Sequence, residues 1–253
     1  MSGLLRSEAR KVTTTKLWWG MLLGSIAFAA LGVVSQIATN GLKNNPALPL
    51  NDPVTQRAIF SSAVSGYLFS VVVGIILITT EFRHFTSRPT FLLEPRRGRV
   101  IAAKLLVASA VGLLYGFADV AVSVAITVPW LSAKGVSVGW LSNGLVIVMV
   151  GALFVIAIFA VVGVGVGVLM RSQVAAVIAT LAYLFVVEPL ISVIPVIKEA
   201  YRYLPGAAGG ALTGVSRNQV TLLSNWQGGL MLLGWGLLFA FLGWLLTVRR
   251  DIA

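Results

Sequence analysis

The sequence predicts an all-α integral membrane protein with six transmembrane helices, and three observations carry that prediction. Hydrophobic residues make up 58% of the 253 positions and charged residues only 11%, against roughly 25% charged in soluble domains. Mean hydropathy is +0.94. Six apolar runs, approximately 17–38, 58–80, 104–130, 143–170, 174–197 and 226–248, each reach the roughly 20 residues that a helix needs to cross a hydrocarbon core. None of the runs shows the ~10-residue alternation of a membrane β-strand.

The runs differ in detail. Arg6, Arg10, Lys11 and Lys16 precede the first, and Ala27-Phe28-Ala29 could serve a signal peptidase. The run continues to Ile37, so an uncleaved span is the simpler reading. The third and fourth runs are long enough to tilt or to project beyond the lipid. In the fifth, Pro189 lacks an N–H and crowds the carbonyl of Phe185, which predicts a bend or break suited to a gate. Pro195, Pro205, Gly206, Gly209 and Gly210 argue against one continuous helix over 198–225. Gly20 with Gly24, Gly112 with Gly116, and Gly163 with Gly167 stand four apart, the spacing at which helix backbones approach closely. Trp18, Trp19, Trp130, Trp140, Trp226 and Trp244 fall near the ends of the runs, as interfacial anchors do. The whole chain reads as a single membrane domain.

A net charge of +11 could mean nucleic acid in a soluble chain. Here the cations lie between apolar runs, where they set topology, and no nucleic-acid partner is expected. Thirteen of the nineteen lie on one side: four before the first run, six between residues 81 and 104, then Arg171, Arg249 and Arg250. Lys43, Arg57, Lys134, Lys198, Arg202 and Arg217 lie on the other. The imbalance places both termini in the cytosol and makes the segment between the second and third runs the largest cytoplasmic loop.

That segment, EFRHFTSRPTFLLEPRRGRVIAAK, also carries the chain's single histidine. Phe85, Phe91, Leu92 and Leu93 are set among its charges, and the turn residues Glu94, Pro95 and Gly98 follow. Such a mixture suits a short helix on the membrane surface that docks on lipid phosphates or an acidic partner. It suits equally a solvated loop that serves topology alone.

Enzymatic chemistry finds little footing. One histidine and no cysteine leave no zinc site of the H-E-x-x-H type, no haem pair and no thiolate nucleophile. No G-x-S-x-G or paired intramembrane aspartates occur, although an intramembrane protease using Asp119 or Glu188 is conceivable. These two acids are the informative residues within the spans, because a carboxylate there costs roughly 2.5–3.5 kcal/mol and tends to face a cavity or the bundle interior. Both sit about 21–23 Å from the cytoplasmic end of their runs. They read as lining groups of a substrate path or gate, with Pro189. The alternatives are a hydrogen bond to a neighbouring helix, or Glu188 reaching Lys198 or Arg202.

The pattern E-F-R-H-x-T, then P-T-F-L-L, then P-R-R-G-R-V-x-x-A-K resembles the loop of ABC-2 type transporter permeases of the actinobacterial kind. There it is usually written E-Y-R-H-G-T, T-P-R-R and a Lys. Phe82 stands in place of the common Tyr, and Phe85-Thr86-Ser87-Arg88 in place of Gly-Thr-Ile. The start, LLRSEARKVTTTKLWW, looks like the family's N-terminal cytosolic amphipathic elbow helix (1–16). Residues 183–212 look like its fifth span and extracellular re-entrant segment (198–225). The resemblance implies that 81–103 holds a cytosolic coupling helix that touches an ABC ATPase subunit through Glu81, Arg83, His84, Thr86, Pro95, Arg96, Arg97 and Lys104. It implies a non-catalytic permease with no cofactor of its own, ATP and Mg being held by the ATPase partner. No G-x-x-x-x-G-K-[ST] occurs in the chain. A second permease subunit and membrane lipids complete the expected partners, and the bacterial plasma membrane the expected location. The implied function is export of drugs, antibiotics, lipids or other amphiphiles. The alternative is an ATP-independent transporter or membrane scaffold.

Overall fold

The computed structural model describes residues 2–42, 48–83, 97–194, 196–215 and 221–249. Their regular structure is helical, with no strand among the described residues. Six helical stretches are long and apolar enough to cross a membrane: Leu17–Thr39, Pro53–Phe82, Gly98–Ala133, Leu145–Met170, Gln173–Val193 and Asn225–Leu245. All six correspond to the runs read from the sequence.

Helix α1 (Ser2–Thr13) precedes the first span, α2 (Leu17–Thr39). The second span starts five residues earlier than its hydropathy suggests. Asp52 accepts the N–H of Val54 at 2.8 Å and Pro53 occupies the first turn, so the cap and the fixed proline φ nucleate α3 (Pro53–Ser61). A 3₁₀ segment, Ser62–Gly66, separates it from α4 (Tyr67–Arg83). The third span, α5 (Arg97–Ala133), begins within what the sequence assigned to the loop. The fourth, α6 (Leu145–Met170), leads through a two-residue turn into the fifth. In that turn Arg171 adopts φ 55° and Ser172 accepts the N–H of Ala175 to cap α7 (Gln173–Ala182).

Pro189 does not end the fifth span, and the turn before it departs from α-helical geometry. A π turn over Tyr183–Val187 lets the Glu188 N–H reach the Tyr183 carbonyl five residues back, and α8 (Glu188–Val193) continues from there. The wider turn accommodates the donor that Pro189 lacks. Ile194 is extended, so the span stops short of the expected residue 197. Two short helices, α9 (Lys198–Tyr201) and α10 (Pro205–Thr213), lie before the last span, α11 (Asn225–Arg249).

Helix α6 is the hub, packed against α4, α5, α10 and α11. It carries no charged residue and is apolar all round, the pattern of a helix surrounded by others. The first, third, fifth and sixth spans expose apolar residues, as at Leu23, Phe117, Val174, Leu190 and Leu230, whereas α4 has no exposed residue among those described. Small residues close the α4–α6 crossing. A Cβ on Gly163 would run into the Val71 carbonyl, and one on Gly74 into the Ala160 carbonyl. Gly112 and Gly116 face Ala157 and Leu153 in the same way on α5. Gly20 has no atom within 4 Å of its Cβ position, so it does not share the packing role read from its spacing.

At the end of the bundle opposite α1, the buried Gln56 ties three segments together. Its Nε2 donates to the Ser137 carbonyl at 2.9 Å and the Leu50 carbonyl at 3.3 Å. Its Oε1 accepts from Asn143 Nδ2 at 2.8 Å and the Gly139 N–H at 3.1 Å. Gln56→Leu leaves those partners without it and should cost about 2–3 kcal/mol, read as a lower melting temperature of the detergent-solubilised protein.

Candidate functional site

At the end carrying α1, two acids and two lysines from three helices form a closed quartet. Glu8 on α1 bonds Lys11 Nζ through Oε1 at 2.6 Å and Lys104 Nζ through Oε2 at 2.5 Å. Glu81 Oε1, near the end of α4, lies 2.6 Å from Lys11 and 2.9 Å from Lys104 on α5. Charges alternate around the ring and sum to zero. Glu8 and Lys104 are fully buried and Glu81 nearly so, while Lys11 remains half exposed. Partial burial by itself would lower the Lys11 pKa. Hydrogen bonds to Glu8 and Glu81 outweigh it and hold the ammonium above its ordinary value. Its stabilising charge is therefore complete at neutral pH and lost only as strongly alkaline pH passes that raised value.

Sequence reasoning placed Glu81 and Lys104 in the loop as contacts for a partner. Within this chain both turn inward and pair with α1. Glu8 was missed: the signal available was a lone acid three residues before Lys11 on a basic amphipathic helix. Arg83 ends α4 and Arg97 begins α5. His84, Thr86, Pro95 and Arg96, with the expected coupling helix, lie outside the described residues.

The two intramembrane acids take separate surroundings. Asp119 on α5 accepts the Ser25 hydroxyl of α2 at 2.6 Å. Ser25 lies also 3.3 Å from the Gly66 carbonyl in the 3₁₀ segment, and a Cβ on Gly66 would collide with the Asp119 carboxylate. Ser123 and Thr127 follow one and two turns along the same face of α5. Asp119 Oδ1 and both hydroxyls are buried without a hydrogen-bond partner. Asp119 thus joins three spans where the second departs from α-helical geometry. Its partner Ser25 is eight residues, about 12 Å, from the start of α2. The longer distance along the third span is counted from Lys104, a member of the ion quartet with Glu8 on α1, the helix that precedes α2.

Glu188 lies at the start of α8, directly after the π turn, and points at α10. Its Oε1 accepts the Ala207 N–H at 2.8 Å. Residue 206 must be small, since a Cβ there would lie 2.7 Å from that oxygen. Glu188 is 3% exposed and its Oε2 has no partner. Arg202 instead faces Glu199 at 3.8 Å and sits over the Tyr203 ring. The Lys198 side chain is outside the described residues. Pro189 and Glu188 line a cavity of about 330 Å³ between the second, fourth and fifth spans and α10. Asp119 and Glu188 therefore do not form one site.

The description "ABC-2 family transporter protein" belongs to the family whose model matches residues 4–187. That match runs from α1 through the π turn and includes the whole quartet, Asp119 and the first five residues before Glu188. No curated protein matches the sequence.

Proposed function

Because the chain belongs to the ABC-2 type transporter permease family, a multi-pass membrane component of ABC transporters, we propose that it is the permease subunit of an ATP-driven exporter. Both termini and the 84–96 segment face the cytosol. A second permease subunit completes the membrane pathway, and ATP with Mg is bound by ATPase subunits beneath it. Arg83, His84, Thr86, Pro95, Arg96 and Arg97 supply the contact with the ATPase, while Glu81 and Lys104 act at one remove.

The observation that supports this reading most is the ion quartet at the roots of the loop. Glu81 lies two residues before the end of α4, and Lys104 seven residues into α5. Both are bonded to α1, so a push on the intervening segment moves α1, α4 and α5 as one body. α4 and α5 both pack on the hub α6, which turns that push into a change of helix packing, the kind of switch alternating access requires. Asp119, where α2, α5 and the 3₁₀ segment meet, sits at a joint of that movement. The segment 198–225, with α10 packed on α6 and α11, plugs the outer end of the path as a re-entrant element.

Purification from native membranes tests the reading. An ATPase should co-purify with the wild-type chain, and Arg96→Glu with Arg97→Glu should reduce the recovered ATPase activity at least tenfold. Recovery of no ATPase favours an ATP-independent transporter or scaffold. Orientation has its own test, since the sequence contains no cysteine. A single cysteine placed at Ser87 should resist a membrane-impermeant maleimide in intact cells and react after lysis.

A further inference from the structure

The polar lining of the cavity beside Glu188 consists of that carboxylate, three Ser and Thr hydroxyls, the phenols of Tyr67 and Tyr201 and the backbone of Gly206. Ser61, Ser192 and Thr213 face it, and each hydroxyl donates to a carbonyl three residues back in its own helix: Ala58 at 2.9 Å, Pro189 at 2.7 Å and Gly210 at 2.9 Å. Their protons are committed and only their lone pairs remain. The Ala207 N–H is taken by Glu188 Oε1, which leaves Oε2 as a buried carboxylate oxygen without a partner. The rest of the wall includes Val64, Phe159 and Leu184. At about 330 Å³ the space falls at the small end of small-molecule sites, roughly 300–1,000 Å³, enough for one alkyl or aromatic body and too little for a two-tailed lipid.

From this geometry we infer that the cavity is a binding site for single-tailed amphiphilic amines, whose ammonium donates to Glu188 Oε2 while the apolar body lies against Phe159 and Leu184. The hydroxyl oxygen of Ser192, one turn on from Glu188 in α8, can accept a further N–H. An anionic head would meet the Glu188 carboxylate, a group of its own charge, in the same buried space. The ammonium supplies both the positive charge and the donors that the buried carboxylate lacks, and a charge-assisted hydrogen bond out of water is the strong kind. The inference rests on the transporter reading for its physiological meaning, since it names the class of molecule the permease carries, but the binding itself needs neither ATPase nor nucleotide.

The test uses the full chain in phosphatidylcholine nanodiscs with radiolabelled decylamine, decanoate and 1-decanol as probes, empty nanodiscs being subtracted. Wild-type protein should bind decylamine saturably, with decanoate and decanol showing no saturable component. Glu188→Gln keeps an oxygen for the Ala207 N–H, so α10 stays capped, and should weaken decylamine binding by about tenfold or more. Ser192→Phe fills the cavity one turn from Glu188 while keeping its carboxylate, and should abolish saturable binding. The inference is overturned if decylamine shows no saturable binding, if decanoate binds as well, or if Ser192→Phe leaves binding intact. It is equally overturned if folded Glu188→Gln binds unchanged; should that variant not fold, the Ser192→Phe result decides. Because no ATPase is present, this outcome is independent of co-purification: loss of amine binding with an ATPase still recovered rejects the substrate class alone, and the converse rejects the coupling alone.

Discussion

Lys104→Met should uncouple the permease and destabilise it by about 3–5 kcal/mol, the range for removing one member of a buried ion pair. Lys104 is fully buried and holds Glu8 at 2.5 Å and Glu81 at 2.9 Å. Without it two carboxylates share the half-exposed Lys11, and the quartet carries an uncompensated negative charge. α1 should then detach from α4 and α5, seen as faster proteolysis after Arg6 or Arg10, with any co-purifying ATPase losing its stimulation by the permease. The balanced variant Glu8→Gln with Lys104→Met restores neutrality and should recover most of the stability. Recovery in the double variant separates a charge effect from a packing effect. Equal loss in both would show that the hydrogen bonds of the Lys104 ammonium, rather than the balance of charge, hold the helices.

Gly163→Val should cost about 3 kcal/mol or more, because the atoms its Cβ meets belong to the main chain of α4 and cannot rotate away. To admit the side chain the helices must part, and the reciprocal contact of Gly74 with Ala160 is lost along with packing of Val71 against Val162 and Phe159. The measurement is the yield of monodisperse protein after solubilisation and its thermal midpoint. Gly20→Ala is the matched control. No atom lies within 4 Å of its Cβ position, so exchanging glycine for the better helix former should be neutral or stabilising by up to about 1 kcal/mol.

The same contrast shows how much was legible beforehand. Small-residue spacing identified Gly112, Gly116, Gly163 and Gly167, which do pack closely, and also Gly20, which does not. Spacing reveals which positions could permit close approach, while a partner helix decides whether one arrives. Gly74, without a glycine four residues away, gave no such signal and sits at the tightest crossing. Pro189 suggests a bend or break in the fifth span, and the helix continues through it after a π turn at Tyr183–Val187. The 3₁₀ interruption at Ser62–Gly66 had no proline to announce it. Only the placement of Asp119 and Ser25 against Gly66 gives that interruption a place in the fold.

Composition and run length by themselves determined that this chain is a helical membrane protein with six spans, because lipid admits few ways of satisfying backbone hydrogen bonds. The order of weak motifs pointed to the transporter family. What only the tertiary structure decided is which charges face each other. Glu8 and Lys104 are 96 positions apart, and Glu188 and Ala207 belong to separate helices. A charge in a sequence carries its sign but not its neighbours. The energy of burying it is set by those neighbours, and they exist only once the helices have packed.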